Sequence, residues 1–373
     1  MRILILLHEA FGGRGGIAKF NRDLITALCA HPDIASVTAI PQLAADPPGP
    51  LPEKLTYPTS GLAGKGSWFL RVGLAALSRS RFDLIVCGHI NLLPAAFAVQ
   101  RFNRAPVALV IHGIEAWHRT GRRLTDRLAG AIDLLISVSQ VTKSRFTAWT
   151  GADVPSVVLP NTVDMSYFTP GEPDPALVER WGLRACRVLL TLARVEARER
   201  YKGIDEIIDI MPSLGVEFPD LVYVIAGDGS DRPRLEAKVR ASGLSGRVVF
   251  TGYIREAEKR DLYRAADVFA MPGHGEGFGI VYLEAMACGI PVIASTMDGS
   301  REAVRDGLLG LMVNPSDATA LRAAVRNALS RPKGVVPAGL DHFDLPHFQR
   351  RVHALVDQVR RTRAQALALR GQP

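Results

Sequence analysis

The sequence predicts an α/β protein with two doubly wound parallel sheets. Short apolar runs alternate with helical patterns along most of the chain. The runs are continuously apolar, as in parallel strands that are buried on both faces. The 373 residues are enough for two domains, and 47% of them are hydrophobic, so each domain can form a core. Strand–helix alternation in each half then produces a sheet covered by helices on both faces.

Twelve strands are predicted, six in each half. Those of the first half are Ile3–Leu7, Val37–Ile40, Leu84–Cys87, Val107–Ile111, Leu134–Val138 and Val157–Leu159. Those of the second half are Val188–Ala193, Leu221–Ala226, Val248–Thr251, Val268–Met271, Pro291–Ser295 and Leu311–Val313. The segment Thr169–Pro175 is rich in residues that break helices and strands, and we interpret it as the linker between domains 1–168 and 169–345.

Two further segments have a predicted structure. Residues 47–66 are rich in Pro and Gly and are expected to form an irregular loop, after which Trp68 and Phe69 open a helix. Core packing is the expected use of both aromatic side chains, with contact to a lipid as the alternative. Near the C-terminus an apolar stripe at helical spacing runs along an Arg-rich helix and consists of Phe348, Val352, Leu355, Val356 and Val359. Residues 371–373 are expected to be frayed.

The net charge of +8 is unevenly distributed along the chain. Residues 1–168 contain 17 Lys/Arg and 11 Asp/Glu, a net charge of +6. Residues 169–344 contain 22 Lys/Arg and 25 Asp/Glu, a net charge of −3. Residues 345–373 contain 6 Lys/Arg and 1 Asp/Glu, a net charge of +5. A basic surface of this kind suits nucleic acid, an anionic membrane or a lipid pyrophosphate. Aromatic residues are not interleaved with the basic ones, and this argues against nucleic acid.

The cysteines and the apolar segments limit the cellular compartments in which the protein is expected. Cys29, Cys87, Cys186 and Cys288 match no metal or redox spacing, which favours a reducing compartment without a disulfide framework. The apolar start of the chain is too short for a signal core and is expected to be the first buried strand. No stretch reaches the length of a membrane span.

The most informative motif is Gly275-Glu276-Gly277-Phe278-Gly279, followed by Glu284 and by Gly289-Ile290-Pro291-Val292. Gly277 and Gly279 lack a Cβ and let the backbone approach a ligand closely. A helix that begins near Gly279 would direct N–H groups and a positive dipole end at an anion. Because Glu284 lies more than one turn into this helix, the two carboxylates are expected to hold separate hydroxyl-bearing groups. A turn followed by a solvated helix face is the alternative.

This motif resembles the paired-glutamate motif of family 4 glycosyltransferases, including the flanking Gly-Phe-Gly and Gly-x-Pro-Val-Ile-Ala. The resemblance covers nearly the whole chain and is strongest over residues 188–313. It implies the GT-B fold, in which two Rossmann-like domains face a deep cleft and the last helix, here within 346–373, crosses back to the first domain. A terminal helix packed on the second domain is the alternative. It also implies retention of anomeric configuration, a nucleotide-diphosphate sugar donor held mainly by residues 185–345, and an acceptor held against residues 1–168.

Two cations follow the first strand of the second half. Arg194 and Lys202 lie beyond Val188–Ala193, and ligands of such sheets bind outside the carboxyl ends of the strands. Fixed cations there suit a diphosphate leaving group, and the resemblance assigns both to the donor pyrophosphate. Arg198 and Arg200 in the same charged spacer are alternative cations, and a solvated charge run is the alternative interpretation.

Two features of the first half also match the family. The loop Gly12–Gly16 loosely fits a dinucleotide fingerprint, but no acid follows the second strand, which argues against NAD. The resemblance implies a flexible loop near donor phosphate and acceptor, with Gly16 as the candidate and a plain mobile loop as the alternative. His112 can donate a hydrogen bond to a sugar hydroxyl or move a proton, and it resembles the family's cleft histidine. A purely structural histidine is the alternative, and Glu115 is a weaker candidate.

Strand-end turns complete the expected donor site. The resemblance places the nucleotide base near the backbone of Tyr253 and Ile254. Pro160–Asp164 resembles the family's Pro-Asn-Gly-Val-Asp, with Thr162 where Gly is commoner, and we expect this difference to be structural. The implied donor-binding residues are Gly16, Arg194, Lys202, Gly227, Tyr253, Ile254, Glu276, Gly277, Phe278, Gly279, Ile280 and Glu284.

The sequence therefore predicts a retaining hexosyltransferase that moves sugar from a UDP- or GDP-sugar to a glycan or lipid-linked acceptor, in bacterial cell-surface polysaccharide or glycolipid synthesis. Its catalytic candidates are His112, Arg194, Lys202 and Glu276. We expect a cytoplasmic protein with peripheral contact to the inner face of the membrane, no nucleic-acid partner and no cofactor. No Asp-x-Asp triplet or histidine spacing indicates a metal. The alternatives are a non-catalytic sugar-nucleotide-binding subunit and a same-fold epimerase or phosphorylase.

Overall fold

The protein consists of two α/β units, each built on one parallel sheet. The computed structural model describes residues 1–43, 47–58, 65–78 and 81–370. The first unit combines Met1–Thr162 with the segment that begins at Leu345, and the second unit is Val163–Asp344. Two doubly wound sheets were predicted, and this fold class is confirmed.

The first unit contains seven strands and six helices among its described residues. The strands are β1 (Arg2–Leu7), β2 (Ser36–Pro41), β3 (Leu55–Thr56), β4 (Leu84–Cys87), β5 (Val107–Ile111), β6 (Leu134–Ser137) and β7 (Ser156–Val158). The helices are α1 (Gly15–Ala30), α2 (Lys65–Leu77), α3 (Leu93–Asn103), α4 (Arg123–Ala129), α5 (Gln140–Thr150) and α13 (Leu345–Arg370). Short 3-10 helices cover Ile90–Leu92 and Ile114–Ala116.

The first sheet has the strand order β3-β2-β1-β4-β5-β6-β7, with all pairs parallel. From β1 the chain winds outward to β2 and β3, and then returns to place β4 on the other side of β1. The sheet therefore changes direction between β1 and β4, and this switch point is where doubly wound sheets leave a crevice at the carboxyl ends of their strands.

The second unit contains six strands and seven helices. The strands are β8 (Arg187–Leu192), β9 (Leu221–Ala226), β10 (Val248–Gly252), β11 (Val268–Ala270), β12 (Val292–Ser295) and β13 (Leu311–Val313). The helices are α6 (Pro175–Arg180), α7 (Ile204–Glu217), α8 (Arg232–Ala241), α9 (Glu256–Ala265), α10 (Ile280–Ala287), α11 (Ser300–Ala303) and α12 (Ala318–Leu329). Short 3-10 helices cover Ala197–Lys202, Arg305–Gly307 and Leu340–Phe343.

The second sheet has the strand order β10-β9-β8-β11-β12-β13, again with parallel pairs. Its switch point lies between β8 and β11. Each sheet is buried on both faces, and a separate hydrophobic core surrounds each of them. This burial explains why the strands are continuously apolar in the sequence.

All twelve predicted strands are present, with ends shifted by at most one residue. The expectation of an irregular loop at 47–66 is wrong in two places, because β3 pairs with the outer edge of β2 there and α2 begins at Lys65. A two-residue strand has too little apolar pattern to be recognised. Part of that segment, residues 59–64, lies outside the described residues, as do residues 371–373.

Helix α2 uses its two aromatic residues differently. Trp68 is buried, and its indole N–H donates to the carbonyl of Ile40. Phe69 is 58% exposed, so the expectation of core packing is wrong for this residue. Leu70, Leu74 and Leu77 are exposed as well, and together with Phe69 they form an outward apolar surface, here called the α2 face.

Helix α13 returns the chain to the first unit. It packs against α1, where the rings of Phe20 and Phe348 meet edge to face at 5.9 Å. Val352, Leu355 and Val356 of the predicted stripe are buried. Burial of this stripe therefore completes the core of the first unit with the end of the chain.

The boundaries of the compact units differ from the expected ones at 168/169 and 345/346. Val163 forms a parallel bridge pair with Asp344, and the ring of Phe168 lies 6.0 Å from that of Tyr263. Arg264 donates to the carbonyl of Thr169. Residues 163–169 therefore pack with the second unit. Among the described residues, no helix is both long enough and apolar enough to cross a membrane.

Candidate functional site

At the switch point of the second sheet, two predicted site residues of opposite charge, Lys202 and Glu276, come together. Lys202 ends the 3-10 helix that follows β8, and Glu276 lies in the loop that follows β11. The Lys202 Nζ atom is 2.5 Å from Glu276 Oε2, and the two side chains are only 15% and 20% exposed. Residues 74 positions apart in the sequence thus form one ion pair, because β8 and β11 are neighbours.

The pair holds a positive charge in a partly buried position. Burial would lower the pKa of Lys202, but the carboxylate of Glu276 and the ring of Tyr201 outweigh it, and the pKa lies above its ordinary value. Lys202 therefore stays charged at neutral pH. An ammonium group has three donors, so a contact with Glu276 leaves capacity for phosphate oxygens. The second oxygen of Glu276 can accept a hydrogen bond from a hydroxyl group.

Asp298 fixes the backbone of Glu276 and was missed in the sequence. Its side chain is fully buried, and Oδ2 accepts a hydrogen bond of 2.8 Å from the Glu276 N–H. Oδ1 accepts from the N–H and the hydroxyl of Ser300, and Gly299 N–H donates to the Glu276 carbonyl. Burial raises the pKa of Asp298. The sequence signal is a polar Asp-Gly-Ser after the apolar run of β12, whose end adjoins that of β11.

The glycine-rich loop is shaped by close packing within the unit. A Cβ on Gly275 would lie 2.3 Å from the ring of Tyr201, so only glycine fits there. Gly279 has φ +93° and precedes the first residue of α10, Ile280, whose side chain is buried. The side chain of Phe278 is also buried and packs on Phe343 at 5.5 Å. A ligand at this loop would therefore meet backbone rather than the side chains of Phe278 and Ile280. Gly277 lies between Glu276 and Phe278 in this loop.

Glu284 lies inside α10 and is 1% exposed. Its Oε2 accepts a hydrogen bond of 2.8 Å from the hydroxyl of Tyr263, and Oε1 is 3.6 Å from the Lys259 ammonium. Burial and the nearby carboxylate raise the pKa of Tyr263 well above its ordinary value, so this hydroxyl remains a donor. The solvated helix face considered as an alternative is excluded, because Glu284 is buried. Its contact with a ribose stays a prediction.

The three arginines after β8 have different surroundings. Arg194 is 70% exposed and forms an ion pair of 2.5 Å with the buried Glu199. Arg200 bonds to Asp231, which also binds Arg234. Arg198 is exposed. Arg200 therefore belongs to an ion-pair network with α8, whereas the exposed Arg194 pairs with Glu199, and its contact with a diphosphate stays a prediction.

The remaining predicted residues are placed as follows. Gly227 has φ +131° at the end of β9, and its N–H donates to the carbonyl of Gly252. Tyr253 is 59% exposed and Ile254 is buried, directly after β10. Gly16 belongs to the first unit, where it is exposed in the first turn of α1. Its role at a donor stays a prediction.

The switch point of the first sheet gathers three histidines. His8 follows β1, His89 follows β4, and His112 follows β5. The rings of His8 and His89 meet edge to face at 4.5 Å, and His112 Nε2 bonds to the Gly88 carbonyl at 3.1 Å. We call these three residues the histidine cluster. The sequence singled out only His112, because the proximity of the other two depends on strand order.

Burial keeps two members of the cluster neutral. It lowers the pKa of His112 to about 4, and it lowers the pKa of His89 to about 4 despite the nearby Glu115 carboxylate. Glu115 Oε1 accepts hydrogen bonds from the N–H groups of His112 and Gly113. Glu115 therefore orders the turn after β5. At neutral pH, imidazole groups of this kind offer hydrogen bonds without a positive charge.

One group of described residues has ligand atoms close enough for a metal ion, namely His31, Asp33 and Asp357. The N–H of Asp33 donates to His31 Nδ1, and the Arg360 guanidinium bonds to Asp33 and lies 3.8 Å from Asp357. These are the contacts of an ion-pair cluster that joins the end of α1 to α13. The expectation that no metal is required stays a prediction.

Comparison with known proteins identifies the family of the chain. Residues 188–335 match the family model described as Glycosyl transferases group 1. Residues 14–167 match Glycosyltransferase Family 4. The chain belongs to the family 4 glycosyltransferases and has the GT-B fold. This confirms the resemblance that the paired-glutamate motif indicated.

The curated relatives include a GDP-mannose-dependent alpha-(1-6)-phosphatidylinositol monomannoside mannosyltransferase of Mycolicibacterium smegmatis. It is 36% identical over 234 residues, covering 60% of this chain and 60% of the relative. A D-inositol 3-phosphate glycosyltransferase of Geodermatophilus obscurus is 32% identical over 210 residues, covering 54% of this chain and 46% of the relative. The matched part of the chain thus spans about half of these relatives' length.

Solved structures share the fold over the whole chain. Anabaena HepE in complex with UDP and glucose has a TM-score of 0.72 at 19% identity, covering 95% of this chain and 99% of its own. The alpha,alpha-trehalose 6-phosphate synthase of Burkholderia multivorans has a TM-score of 0.75 at 17% identity, covering 100% and 99%. At these identities the likeness establishes the fold.

Proposed function

We propose that the protein is a retaining hexosyltransferase that uses a nucleotide-diphosphate sugar. The observation that carries the proposal is the Lys202–Glu276 ion pair at the switch point of the second sheet. It sets a fixed cation and a hydroxyl acceptor beside the N-terminal end of α10, where backbone N–H groups favour anions. Membership of the family 4 glycosyltransferases supports this interpretation.

The second unit would hold the donor. Lys202 and Arg194 would stabilise the diphosphate as its negative charge grows. Glu276 would accept hydrogen bonds from the sugar, and Glu284 from the ribose, while the backbone after β10 would meet the base. The bond between the anomeric carbon and the diphosphate oxygen breaks, and the acceptor oxygen bonds to the same carbon from the same face. The acceptor proton passes to the leaving phosphate, so charge and atoms balance without a metal or a cofactor.

The names of the relatives favour GDP-mannose as the donor. The Mycolicibacterium smegmatis relative and a second relative, of Corynebacterium glutamicum, act with GDP-mannose, whereas HepE was crystallised with UDP and glucose. We therefore propose a GDP-sugar, with a UDP-sugar as the other candidate. The acceptor is proposed to be lipid-linked and to be held by the first unit, since two relatives act on phosphatidylinositol monomannosides. A role in cell-surface glycolipid or polysaccharide synthesis follows from these donors and acceptors.

Two surface features of the first unit support peripheral contact with an anionic membrane. The α2 face presents four large apolar side chains that are 58 to 71% exposed. Helix α3 packs against both α2 and α4. Around α4, the exposed basic residues are Arg119, Arg122, Arg123 and Arg127. An apolar face and a basic helix on the same unit suit a bilayer of anionic lipids, because apolar groups enter the interface and cations bind the headgroups. On the strength of these features we propose that the reaction takes place at the surface of an anionic membrane, on its inner face.

The test is a transfer assay preceded by a donor screen. Thermal shifts with GDP-, UDP-, ADP- and dTDP-sugars identify the donor, because a ligand that binds only the native state raises the melting temperature. Sugar transfer from that donor to a lipid-linked acceptor by the isolated chain is the expected result. Donor binding without transfer would instead indicate a non-catalytic subunit. A pyridoxal absorbance would indicate a phosphorylase, and conversion of the free sugar nucleotide would indicate an epimerase.

A further inference from the structure

Glu199 is a buried carboxylate whose ion-pair partner is an exposed cation. It lies in the 3-10 helix that follows β8, and its side chain is only 6% exposed. The Arg194 side chain is 70% exposed and places its Nη2 atom 2.5 Å from Glu199 Oε1. A buried carboxylate loses hydration that an apolar residue would not lose, so such a pair is weak evidence for a role in stability. The pair is therefore better explained by what it does to the arginine.

The contact fixes one part of the Arg194 guanidinium and leaves the other donors exposed to solvent. A guanidinium has five N–H donors, and the contact through Nη2 uses one of them. Arginine binds phosphate through two parallel hydrogen bonds. The remaining donors are enough for such a bidentate contact while the bond to Glu199 is kept.

The neighbouring acidic residues have different contacts. Glu196 Oε2 accepts a hydrogen bond of 2.6 Å from the Ser230 hydroxyl, and Asp231 accepts one of 3.0 Å from Arg200. Glu199 Oε2 is buried and has no hydrogen-bond partner among the described residues. A buried carboxylate with one unpaired oxygen is costly, so the single cation that bonds to its other oxygen is held firmly.

The charge of Glu199 also acts on Lys202. Burial opposes the charged form of Lys202, but Glu276, Tyr201 and, to a smaller extent, Glu199 outweigh it and raise the pKa of Lys202. One buried carboxylate thus acts on both cations that follow β8.

We propose that Glu199 is a positioning residue of the donor site, which holds the Arg194 guanidinium in place for the diphosphate and keeps this contact when the diphosphate binds. The inference rests on the proposed function. Immobilising a long side chain during binding weakens the affinity by about two- to twelve-fold. An arginine that is already held in place avoids this loss.

Two substitutions of Glu199 in the full chain distinguish contact from charge. Glu199→Asp keeps the charge but is one methylene shorter, so it withdraws the carboxylate from Arg194. Glu199→Gln keeps an oxygen acceptor at the same reach and removes the charge. In calorimetric titrations with GDP and UDP, Glu199→Asp should raise the dissociation constant by about two- to twelve-fold, and Glu199→Gln should raise it less. Guanosine or uridine, which lack the diphosphate, should bind to both variants as they bind to the parent.

Two controls test whether Glu199 acts through Arg194. Glu196→Gln removes a neighbouring charge that bonds to Ser230 and should leave the affinity for the diphosphate unchanged. In an Arg194→Ala background, Glu199→Asp should have no further effect. Thermal melts establish that each variant is folded, and the comparison of Glu199→Asp with Glu199→Gln decides the matter if the double variant does not fold.

The possible outcomes separate this inference from the proposed function. Parent-like diphosphate affinity of Glu199→Asp, an equal or larger loss in Glu199→Gln, or an equal loss of nucleoside binding would overturn the inference alone. A parent chain that binds neither GDP nor UDP would instead refute the proposed function on which the inference rests.

Discussion

At the residue scale, the candidate site of the second unit consists of a few buried or partly buried polar contacts. Lys202 and Glu276 neutralise one another, Asp298 holds the Glu276 backbone, and Tyr263 holds the Glu284 carboxylate. Each acidic residue thus has a defined partner that orients it. Preorganised groups of this kind stabilise a developing charge without reorganising at the moment of reaction.

Lys202→Ala should lower transfer by about 10²–10³-fold at saturating donor, because the proposed preorganised charge contact to the diphosphate is lost. The unfolding midpoint should change far less than the rate. Arg200→Ala is the matched control, since Arg200 bonds to Asp231. Near-normal turnover of Lys202→Ala, or an equal loss in Arg200→Ala, would remove Lys202 from the diphosphate site. Steady-state kinetics and thermal melts measure both quantities.

Replacement of Glu276 and replacement of Glu284 are expected to have different effects on nucleotide binding. Glu284→Gln should weaken binding of the free nucleoside diphosphate, because the proposed contact of Glu284 with the ribose is altered. Glu276→Gln should affect sugar transfer more than nucleotide binding. Tyr263→Phe, which removes only the hydroxyl that bonds to Glu284, should weaken nucleotide binding in the same direction as Glu284→Gln. Calorimetric titration with the nucleoside diphosphate measures all three, and equal losses for the two glutamate variants would show that their roles are not separate.

Asp298→Asn is expected to reduce both stability and transfer. An amide can replace only one of the two carboxylate acceptors, so either the Glu276 N–H or the groups of Ser300 lose a partner. An unpaired buried donor costs about 1–3 kcal/mol of unfolding free energy. Ser300→Ala is the comparison, because it leaves the Glu276 contact intact. A variant that loses stability but keeps the full rate would assign Asp298 a purely structural part. Denaturant melts and initial rates distinguish the two outcomes.

At the element scale, strand order decides which side chains meet. The ends of β8 and β11 create the donor candidates, and the ends of β1, β4 and β5 create the histidine cluster. Helices α1 and α13 close the first unit by packing on each other. The same topological rule therefore brings polar candidate residues together at the carboxyl edge of each sheet.

The histidine cluster predicts how stability depends on pH. The folded pKa values of His89 and His112 lie near 4, below the ordinary value of 6.5. Between these values the unfolded chain binds protons that the folded chain does not, so the free energy of unfolding should fall as the pH drops from 6.5 towards 4. His8, Glu115 and Arg122 are the other titratable groups acting there.

Denaturant melts at intervals across this window measure the effect. The double variant His89→Gln and His112→Gln should show a flatter decline than the parent, since glutamine does not titrate. His118→Gln should retain the parent's slope. An unchanged slope in the double variant would show that other groups cause the acid sensitivity.

At the scale of the whole molecule, charge separates along the chain. Residues 1–168 and 345–373 carry net charges of +6 and +5, and residues 169–344 carry −3. Because α13 packs on the first unit, nearly all of both basic portions lies in that unit. Of residues 1–168, only 163–168 belong to the second unit, and Asp164 is the one charged residue among them. Each basic residue near an anionic surface contributes about 1 kcal/mol, and the attraction falls off within a Debye length.

Liposome co-sedimentation tests this arrangement. The full chain should pellet with anionic vesicles at low salt, be released at high salt, and ignore neutral vesicles. Leu70→Ser combined with Leu74→Ser should weaken binding, because both side chains lie on the α2 face. Val216→Ser, at an exposed apolar residue of the second unit, is the control. A chain that stays in the supernatant at low salt would favour a soluble acceptor.

Much of the fold could be predicted because buried parallel strands leave a continuous apolar signal. β3 has only two residues and lies at a sheet edge, so its apolar pattern is too short to be recognised in the sequence. Phe69 was misplaced because helical spacing does not reveal which side of α2 meets the core. In the candidate site, Glu276, Glu284 and Lys202 were recognisable from local motifs, whereas Asp298, His8 and His89 have ordinary local sequence.

The sequence by itself determined the two-sheet class, twelve of the strands and the family, since each depends on local pattern or motif. Only the tertiary structure decided that Lys202 meets Glu276, that Asp298 holds the Glu276 loop, and that His8 touches His89. The physical reason is the order of the strands in each sheet. Neighbouring parallel strands bring their carboxyl ends together whatever their separation in the chain, and this order results from the packing of the complete core.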